Sequence, residues 1–262
     1  MTPETRRSAI VALATERGEI SIEALSRHFG VSLQTIRSDL RDLTAQGLLL
    51  RRHGLVAPFA RENIAYQQRE IVNINGKRWI GGQVAQLLCG AQSCFLGTGT
   101  TVEMVARALP QSVSLAVFTN NLHATQPLSL LPDCALTIAG GRIRKRDLDI
   151  IGGDALAFFS RYRVDIGVVS VGGIGEAGEL YDFNDDEVVA RRALTAGADV
   201  TVLAIDSTKF GRTALCRNGH VGDFDYVVSE RPPTAQQRAG LAQRRTQWLC
   251  RDAADALPPY GG

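Results

Sequence analysis

The stretch GVSLQTIRSDLRDL, residues 30–43, has the apolar spacing of a short amphipathic helix. Its large apolar residues recur every three or four positions, so we expect them all on one side of that helix: Leu33, Ile36, Leu40 and Leu43. The opposite side presents amide, hydroxyl and guanidinium groups, which belong to Gln34, Thr35, Arg37, Ser38 and Arg41. Asp39 and Asp42 fall between the two sides. The outer side of the helix therefore carries hydrogen-bond donors and no carboxylate.

Two more short helices and a hairpin surround this helix in the sequence. Residues 5–17 have a helical pattern, Ser21 can cap a second helix, and Ser32 can cap the third. Further on, the extended runs Leu48–Arg52 and Leu55–Ala57 fit a small hairpin. Short helices on tight connections followed by a hairpin predict a winged helix-turn-helix at the N-terminus.

A helix-turn-helix places its second helix in the major groove of DNA, where side chains meet base edges. Arg37 could pair with a guanine edge and Gln34 with an adenine edge. Arg41, Arg51 and Arg52 are better placed to meet phosphates. The alternative is a small amphipathic bundle whose polar side is merely solvated. The net charge does not decide between a DNA interface and a solvated surface, because eight arginines and six acidic residues in residues 1–57 give only +2.

From residue 77 onward, apolar strand-like runs alternate with helical segments. The runs are Ser93–Leu96, Leu115–Thr119, Ala135–Ala139, Ile166–Val171, Val200–Ile205 and Tyr226–Ser229. The helical segments between them include Val102–Leu109, Asp154–Phe159 and Asp186–Ala196. Such alternation predicts an α/β fold with a mostly parallel sheet covered on both faces.

Changes in composition and in apolar pattern along the sequence divide it into four parts. Residues 1–58 are predicted to form the winged helix-turn-helix domain, and residues 77–251 the α/β domain. Between them, residues 59–76 lack a clear apolar stripe and are predicted to be a linker that is helical in part. The small, polar and proline-containing residues 252–262 are predicted to be a frayed tail.

One strand end in the larger half looks suited to a phosphate group. In CFLGTGTTVEMVARAL, residues 94–109, a short strand runs into the glycine-threonine loop Gly97–Thr101, and a helix then begins. Glycines let the backbone approach a ligand closely. Free N–H groups at the helix start and threonine hydroxyls then point donors at one spot. The alternative is an ordinary glycine turn between strand and helix.

Other strand ends contribute polar groups to the same edge of the predicted sheet. Asn120, Arg142 and Lys209 each follow a predicted strand. Ligands of an open parallel sheet settle beyond the carboxyl ends of its strands, where Lys209 could reach a phosphate as a point charge. Each residue alone could be a turn residue or a solvated charge, but their convergence predicts an anion site.

Composition excludes several other classes of protein. Apolar residues make up 45% and charged residues 21% of the 262, as in a globular protein with a buried core. No apolar run is long enough for a membrane span, and the N-terminus lacks a secretory signal. Five scattered cysteines fit a reducing cytoplasm, and four histidines away from cysteine make a metal site improbable.

SIEALSRHFGVSLQTIRSDLRDLTAQGLLLRRHG, residues 21–54, closely resembles the DNA-binding segment of the DeoR family of bacterial regulators. The shared positions are Phe29, Val31, Ser32, Thr35, Ile36, Arg37, Asp39, Leu40, Gly47, Leu48, Arg51, His53 and Gly54. The chain departs from the family at Ser38, usually a second arginine, and at Leu55, usually a second glycine. The helix pattern and the resemblance together imply a DNA interface of Ser32, Gln34, Thr35, Arg37, Ser38, Arg41, Arg51, Arg52 and His53.

The larger half resembles the sensor domain of the same family. The matching pieces are Gly97–Thr101, Thr119–Asn121, Ala139–Gly141, Ile151-Gly152, Asp206-Ser207 and Lys209–Gly211. The resemblance implies a fold similar to ribose-5-phosphate isomerase and a phosphorylated sugar or polyol as ligand. The likeness is to the glycerol-3-phosphate repressor branch, through Phe183, Glu187, Val188, Arg192, Ala193 and Ser207–Arg212. Ligand contacts are expected at Gly97, Thr98, Gly99, Thr100, Thr101, Asn120, Arg142 and Lys209.

Two functions fit these features. One is a repressor of carbohydrate or polyol catabolic genes that a small phosphorylated metabolite, glycerol 3-phosphate, releases from its operator. The other is a sugar-phosphate isomerase-like enzyme with an accessory DNA-binding domain. An isomerase needs a base near the phosphate, and Glu187 and Asp165 are candidates that no spacing ties to the loop.

An enzyme would also leave the donor-bearing helix unexplained, so we expect a regulator. We expect it to have no catalytic residue, no cofactor and no metal. Its expected partners are a double-stranded DNA operator, a phosphorylated effector and further copies of the chain, in a dimer or tetramer that matches paired half-sites.

Overall fold

The computed structural model describes residues 2–17, 19–45, 49–52, 54–58 and 66–251 of the chain. The chain folds as two compact units. Residues 1–64 with 71–73 form the smaller unit, and residues 65–70 with 74–262 form the larger one. His53, residues 59–65 of the predicted linker and the predicted tail 252–262 lie outside the described residues.

In the smaller unit, helices and a three-stranded antiparallel sheet follow one another along the chain. The elements are α1 (Pro3–Arg17), β1 (Ile20–Ser21), α2 (Ile22–Phe29), α3 (Leu33–Ala45), β2 (Leu49–Arg52) and β3 (Leu55–Pro58). The strands lie in the order β1-β3-β2, and β2 and β3 pair as a hairpin with Leu49 opposite Pro58. The predicted winged helix-turn-helix is confirmed.

Serine hydroxyls start both helices of the helix-turn-helix. Ser21 Oγ accepts a hydrogen bond from the Ala24 N–H at 3.1 Å, and Ser32 Oγ accepts one from the Thr35 N–H at 3.1 Å. Between the two helices, Gly30 has a φ of +63°, a left-handed conformation in which glycine meets no steric cost. Ser21 and Ser32 therefore account for the starts of the two helices, and Gly30 accounts for the sharp turn between them.

The apolar side of α3 packs into the core of the smaller unit. Ile36, Leu40 and Leu43 are at most 2% exposed and share this core with Ile10 and residues of the hairpin. Leu33 was expected on the same side but is 38% exposed. As the first residue of α3, it lies beside the turn, and the packed part of the helix begins one turn later.

The larger unit is built on a seven-stranded parallel sheet. Its strands are β4 (Ser93–Leu96), β5 (Leu115–Thr119), β6 (Cys134–Ile138), β9 (Val164–Val169), β12 (Ala198–Ala204), β14 (Tyr226–Val228) and β15 (Gln247–Leu249), in the spatial order β15-β14-β12-β9-β4-β5-β6. Two small sheets accompany it, one of β7 (Ile143–Arg144) and β8 (Asp149–Ile150), the other of β10 (Gly173–Ile174), β11 (Glu179–Asp182) and β13 (Cys216–His220). The predicted parallel sheet is confirmed, and β15 is a strand that the sequence did not predict.

Helices cover both faces of the large sheet. They are α5 (Ile74–Leu88), α6 (Thr100–Ala108), α7 (Leu122–Ser129), α8 (Gly152–Phe159), α9 (Asp185–Ala196) and α10 (Ala235–Leu241), and the short helix α4 (Tyr66–Ile71) precedes them in the chain. Along β4, Cys94 and Leu96 join the core that includes α5 and α6, whereas Phe95 joins the core that includes α8 and α9. Successive strand residues point to opposite faces, so one strand serves both cores. None of the described helices has the length and apolarity needed to cross a membrane.

Part of the predicted linker 59–76 is helical and contributes to the larger unit. Tyr66, at the start of α4, is 2% exposed, and its hydroxyl donates a hydrogen bond to Glu103 Oε2 at 2.5 Å. Helix α5 begins at Ile74, also within that range. The stretch shows no apolar stripe because α4 is held by polar contacts of Tyr66 and Arg69.

Candidate functional site

The outer side of α3 is solvent-exposed. The exposed side chains at its start and along it belong to Ser32, Gln34, Arg37, Ser38 and Arg41, while that of Thr35 is half-buried. On β2, the Arg51 side chain is exposed. The side chain of Arg52 and the whole of His53 fall outside what the structure describes.

Asp39 is buried against α1 and does not lie at the margin of α3 as expected. Its side chain is 2% exposed and accepts hydrogen bonds from Arg6 Nε at 2.5 Å and Arg7 Nε at 3.0 Å. Arg7 also forms an ion pair with Asp42. Two guanidinium groups of α1 thus hold the third helix in place. Sequence reasoning missed this contact because the partners lie 33 and 32 residues away.

The glycine-threonine loop joins β4 to α6 at the carboxyl edge of the large sheet. Gly99 precedes the helix with a φ of +106°, which L side chains rarely adopt. The first helical hydrogen bond runs from the Glu103 N–H to Gly99 O at 3.0 Å. The N–H groups of Thr100, Thr101 and Val102 therefore lie at the N-terminal end of α6, where helices attract anions.

Polar side chains from neighbouring strand ends hold this loop. Asn121 Nδ2 donates to Gly97 O at 3.3 Å and to Gly99 O at 3.4 Å. The Thr101 hydroxyl donates to Asp206 Oδ2 at 3.3 Å. Because Asp206 follows β12, these contacts join the ends of three strands at one place.

Three basic side chains interact with Asp206 and a fourth, that of Arg69, interacts with these three. We call the four the basic cluster: Arg69, Lys77, Lys209 and Arg212. Lys77 Nζ lies 3.9 Å from Asp206 Oδ2, and both Lys209 and Arg212 interact electrostatically with this carboxylate. Arg69 in turn repels the other three cations. Asp206 is fully buried, and Lys77, Lys209 and Arg212 are each less than one-tenth exposed.

Burial in this cluster shifts the protonation of its members. Burial, reinforced by the charge of Arg212, lowers the pKa of Lys209 to about 7 although Asp206 opposes the shift. Burial also lowers the pKa of Arg212 to about 10 and the pKa of Lys77 below its ordinary value. Burial alone would raise the pKa of Asp206, but Lys77 and Lys209 hold that pKa below its usual value. A bound anion would relieve the repulsion among the cations.

Helix α4 contributes both a charge and a carbonyl group to the cluster. Arg69 forms an ion pair with Asp147, and its guanidinium carbon lies 5.4 Å from the centroid of the Tyr66 ring. That ring stacks on His123 with the centroids 3.6 Å apart. The Lys77 ammonium donates to the Arg69 carbonyl at 2.6 Å. Arg69 and Lys77 are functional candidates that sequence reasoning missed.

Two predicted ligand contacts have other partners. Asn120 is buried, and its Nδ2 donates to Ile150 O at 2.7 Å. Arg142 is exposed, and its backbone N–H donates to Asp154 Oδ2 at 3.0 Å. None of the contacts described for these two residues joins them to the glycine-threonine loop, and their role in ligand binding stays a prediction.

The two carboxylates considered as catalytic bases are engaged elsewhere. Asp165 accepts hydrogen bonds from the N–H groups of Gln92 and Ser93 at 2.7 and 3.0 Å, at the amino end of β4. The glycine-threonine loop follows the opposite end of that strand. Glu187 forms an ion pair with Arg144. In the described part of the chain, no group of histidine, cysteine and acidic residues is arranged to hold a metal ion.

The helix-turn-helix and the α/β unit both match known family models. Residues 6–58 match the DeoR-like helix-turn-helix domain, and residues 72–231 match the DeoR C-terminal sensor domain. The chain belongs to the DeoR family. This DeoR-type chain is a transcriptional repressor homologous to the glycerol-3-phosphate regulon repressor.

Several DeoR-type relatives match nearly the whole chain. The glycerol-3-phosphate regulon repressor of Escherichia coli K12 is 36% identical over 94% of this chain and 98% of its own length. The HTH-type transcriptional repressor CsqR of the same strain is 33% identical over 92% of this chain and 93% of its own. Among solved structures, ribose 5-phosphate isomerase A of Methanocaldococcus jannaschii matches 53% of this chain and 55% of its own, with 15% identity and a TM-score of 0.39.

Proposed function

We propose that this repressor controls genes of carbohydrate or polyol catabolism and leaves its operator when a small phosphoester, glycerol 3-phosphate, binds the larger unit. The observation that carries the proposal is the basic cluster beside the N-terminal end of α6. Buried cations and helix N–H groups that meet at one place suit a phosphate group. Glycerol 3-phosphate in particular is suggested by the names of relatives in three bacteria.

The smaller unit is proposed to read the operator with α3 in the major groove. Arg37 and Gln34 would meet base edges, while Arg41, Arg51 and Arg52 would meet phosphates. Ser32, Thr35, Ser38 and His53 complete the proposed interface. Residues 1–58 act as the DNA-binding domain, 77–251 as the sensor and 59–76 as the connection, in a cytoplasmic homo-oligomer that matches paired half-sites.

Helix α4 is proposed to transmit the effect of effector binding to the DNA-binding domain. It is the first described element after the hairpin, and its Arg69 belongs to the basic cluster. An anion in the cluster would compete with Asp147 for Arg69. The effector can then shift DNA affinity by its difference in affinity for the two states, about 1–3 kcal/mol per site.

A sugar-phosphate isomerase is the alternative, and it is not favoured. Asp165 lies at the amino end of β4, and Arg144 engages Glu187. Relatives that match both domains are named repressors. We therefore propose a regulator without catalytic activity, and a ketose assay on ribose 5-phosphate tests this.

The proposed function is tested by fluorescence anisotropy with genomic fragments selected for binding. Glycerol 3-phosphate should weaken the complex, whereas glycerol at equal concentration should leave it unchanged. If the protein prefers no fragment, it is not an operator-binding repressor. If it binds a fragment tightly and no phosphoester weakens the complex, only the effector assignment is wrong.

The Arg37→Ala variant should bind the operator about 1–3 kcal/mol more weakly, because a side chain that meets a base edge is lost. The fold should survive, since Arg37 is exposed. Anisotropy titrations with operator and with random DNA measure the loss, and the same substitution at exposed Arg17 is the control. Unchanged affinity for both DNAs would remove Arg37 from the interface.

Effector affinity should fall as the pH rises from 7 to 9. Lys209 has a pKa of about 7 in the free protein, so its ammonium form is increasingly lost above that pH. A phosphate dianion favours the ammonium form, so binding takes up a proton and weakens by up to about tenfold per pH unit. Calorimetry from pH 7 to 9 avoids the second phosphate pKa near 6. The Lys209→Arg variant should give a flatter profile than the wild type, and a flat wild-type profile would contradict the assignment.

A further inference from the structure

A cleft separates the first turns of α1 from one side of α3, within the smaller unit. Its volume is about 420 Å³. From α1 it is lined by Arg6 and Arg7, and from α3 by Thr35, Ser38 and Arg41. The sequence did not predict this cleft, because helix α2 lies between α1 and α3 along the chain.

The lining of the cleft is predominantly cationic. Three guanidinium groups face a single carboxylate among its lining residues, that of Asp39. Asp39 is already occupied, because it accepts hydrogen bonds from Arg6 Nε and Arg7 Nε. Arg7 also pairs with Asp42, which is 43% exposed. A guanidinium has five N–H donors, so these bonds leave Arg7 able to bind a further acceptor.

The position of the cleft relates it to the proposed DNA interface. Gln34, Ser38 and Arg41 recur at intervals of four and three residues and therefore form one stripe along α3. All three line the cleft, whereas Arg37 does not belong to its lining. When the N-terminal end of α3 with Gln34 lies in the major groove, the later part of this stripe, with Ser38 and Arg41, faces the edge of the groove, where the sugar-phosphate backbone runs.

We infer that this cleft holds a backbone phosphate of the operator, with Arg7 of α1 and Arg41 of α3 as its cationic contacts. The inference rests on the proposed function, since it places a second helix on the DNA. Asp39 positions Arg7 by accepting its Nε–H and keeps the two arginines of α1 from repelling each other. The hydroxyls of Thr35 and Ser38 supply additional donors at the same cleft.

The test is the salt dependence of operator binding by the full chain. Each phosphate neutralised contributes about 0.9 to the slope of log K against log salt for duplex DNA. The Arg7→Gln variant should therefore have a slope lower by about one, with about tenfold weaker binding at moderate salt. The Arg7→Lys variant keeps the charge and should keep the slope.

Arg17→Gln is the matched control, because it removes the same charge from the exposed C-terminal turn of the same helix. It should leave the slope unchanged. Arg41→Gln lines the cleft from α3 and should also lower the slope, even if Arg7→Gln perturbs folding. A wild-type slope in either folded cleft variant would overturn the inference, as would an equal decrease for Arg17→Gln. Absence of operator binding by the wild type would instead overturn the proposed function.

Discussion

The Lys209→Met variant is expected to bind glycerol 3-phosphate about 2–5 kcal/mol more weakly than the wild type, or roughly 30-fold to several thousand-fold in Kd. Methionine keeps the length of the side chain and removes its charge, so the phosphate loses a buried cationic partner. DNA binding in the absence of effector should stay at the wild-type level. Calorimetry measures the first effect, and anisotropy with operator DNA measures the second.

The stability of the free protein separates a binding role of Lys209 from a structural one. The attraction of Asp206 does not offset the burial of the ammonium group, because the pKa of Lys209 stays lowered to about 7, so removal of this group should not lower the melting temperature of the free protein. Lys145→Met, at an exposed position, is the matched control and should change neither quantity. Wild-type effector affinity in Lys209→Met would show that the phosphate binds elsewhere.

Local signals explain why much of the fold could be predicted from sequence. A serine hydroxyl reaches a backbone N–H three residues later, so Ser21 and Ser32 identify the starts of their helices in the sequence itself. The glycine-threonine loop is likewise a continuous stretch between a strand and a helix. Alternation of strands and helices leaves few possible topologies, and a parallel sheet is the common one.

Contacts between distant residues explain what the sequence did not reveal. Asp39 lies in a polar helix, and nothing nearby shows that Arg6 and Arg7 will bury it. Arg69 and Lys77 reach the basic cluster from outside the predicted strand ends. Helix α4 has no apolar stripe that the sequence could reveal. It is held instead by the ion pair of Arg69 with Asp147 and by the stacking of Tyr66 on His123.

One available signal could have found part of the basic cluster. The chain contains 29 basic residues, of which only three are lysines: Lys77, Lys145 and Lys209. Two of these three lie buried in the cluster. A lysine can lose its proton when buried, whereas an arginine keeps its charge. The scarcity of lysine in this arginine-rich chain therefore indicates special sites at the few lysines, as the glycine-threonine loop indicates one at its strand end.

Gly81→Ala is expected to destabilise the larger unit by about 1–3 kcal/mol, the usual cost of overpacking. A Cβ at this position would lie 2.5 Å from the backbone oxygen of Met104 and 2.7 Å from its carbonyl carbon. Backbone cannot swing aside as a side chain can, so α5 and α6 must separate. Because α6 begins at the glycine-threonine loop, effector affinity should fall as well.

Gly82→Ala supplies the matched control in the same helix. A Cβ there would meet no atom within 4 Å, so alanine should stabilise α5 by up to about 1 kcal/mol through its helix propensity. The free energies of unfolding in urea should therefore move in opposite directions for the two variants, with a difference of about 1–4 kcal/mol between them. Equal stabilisation of both variants would mean that the two helices are not in such close contact at Gly81. The position of the glycine-threonine loop would then depend on its hydrogen bonds with Asn121 and Asp206 and not on the packing of α5 against α6.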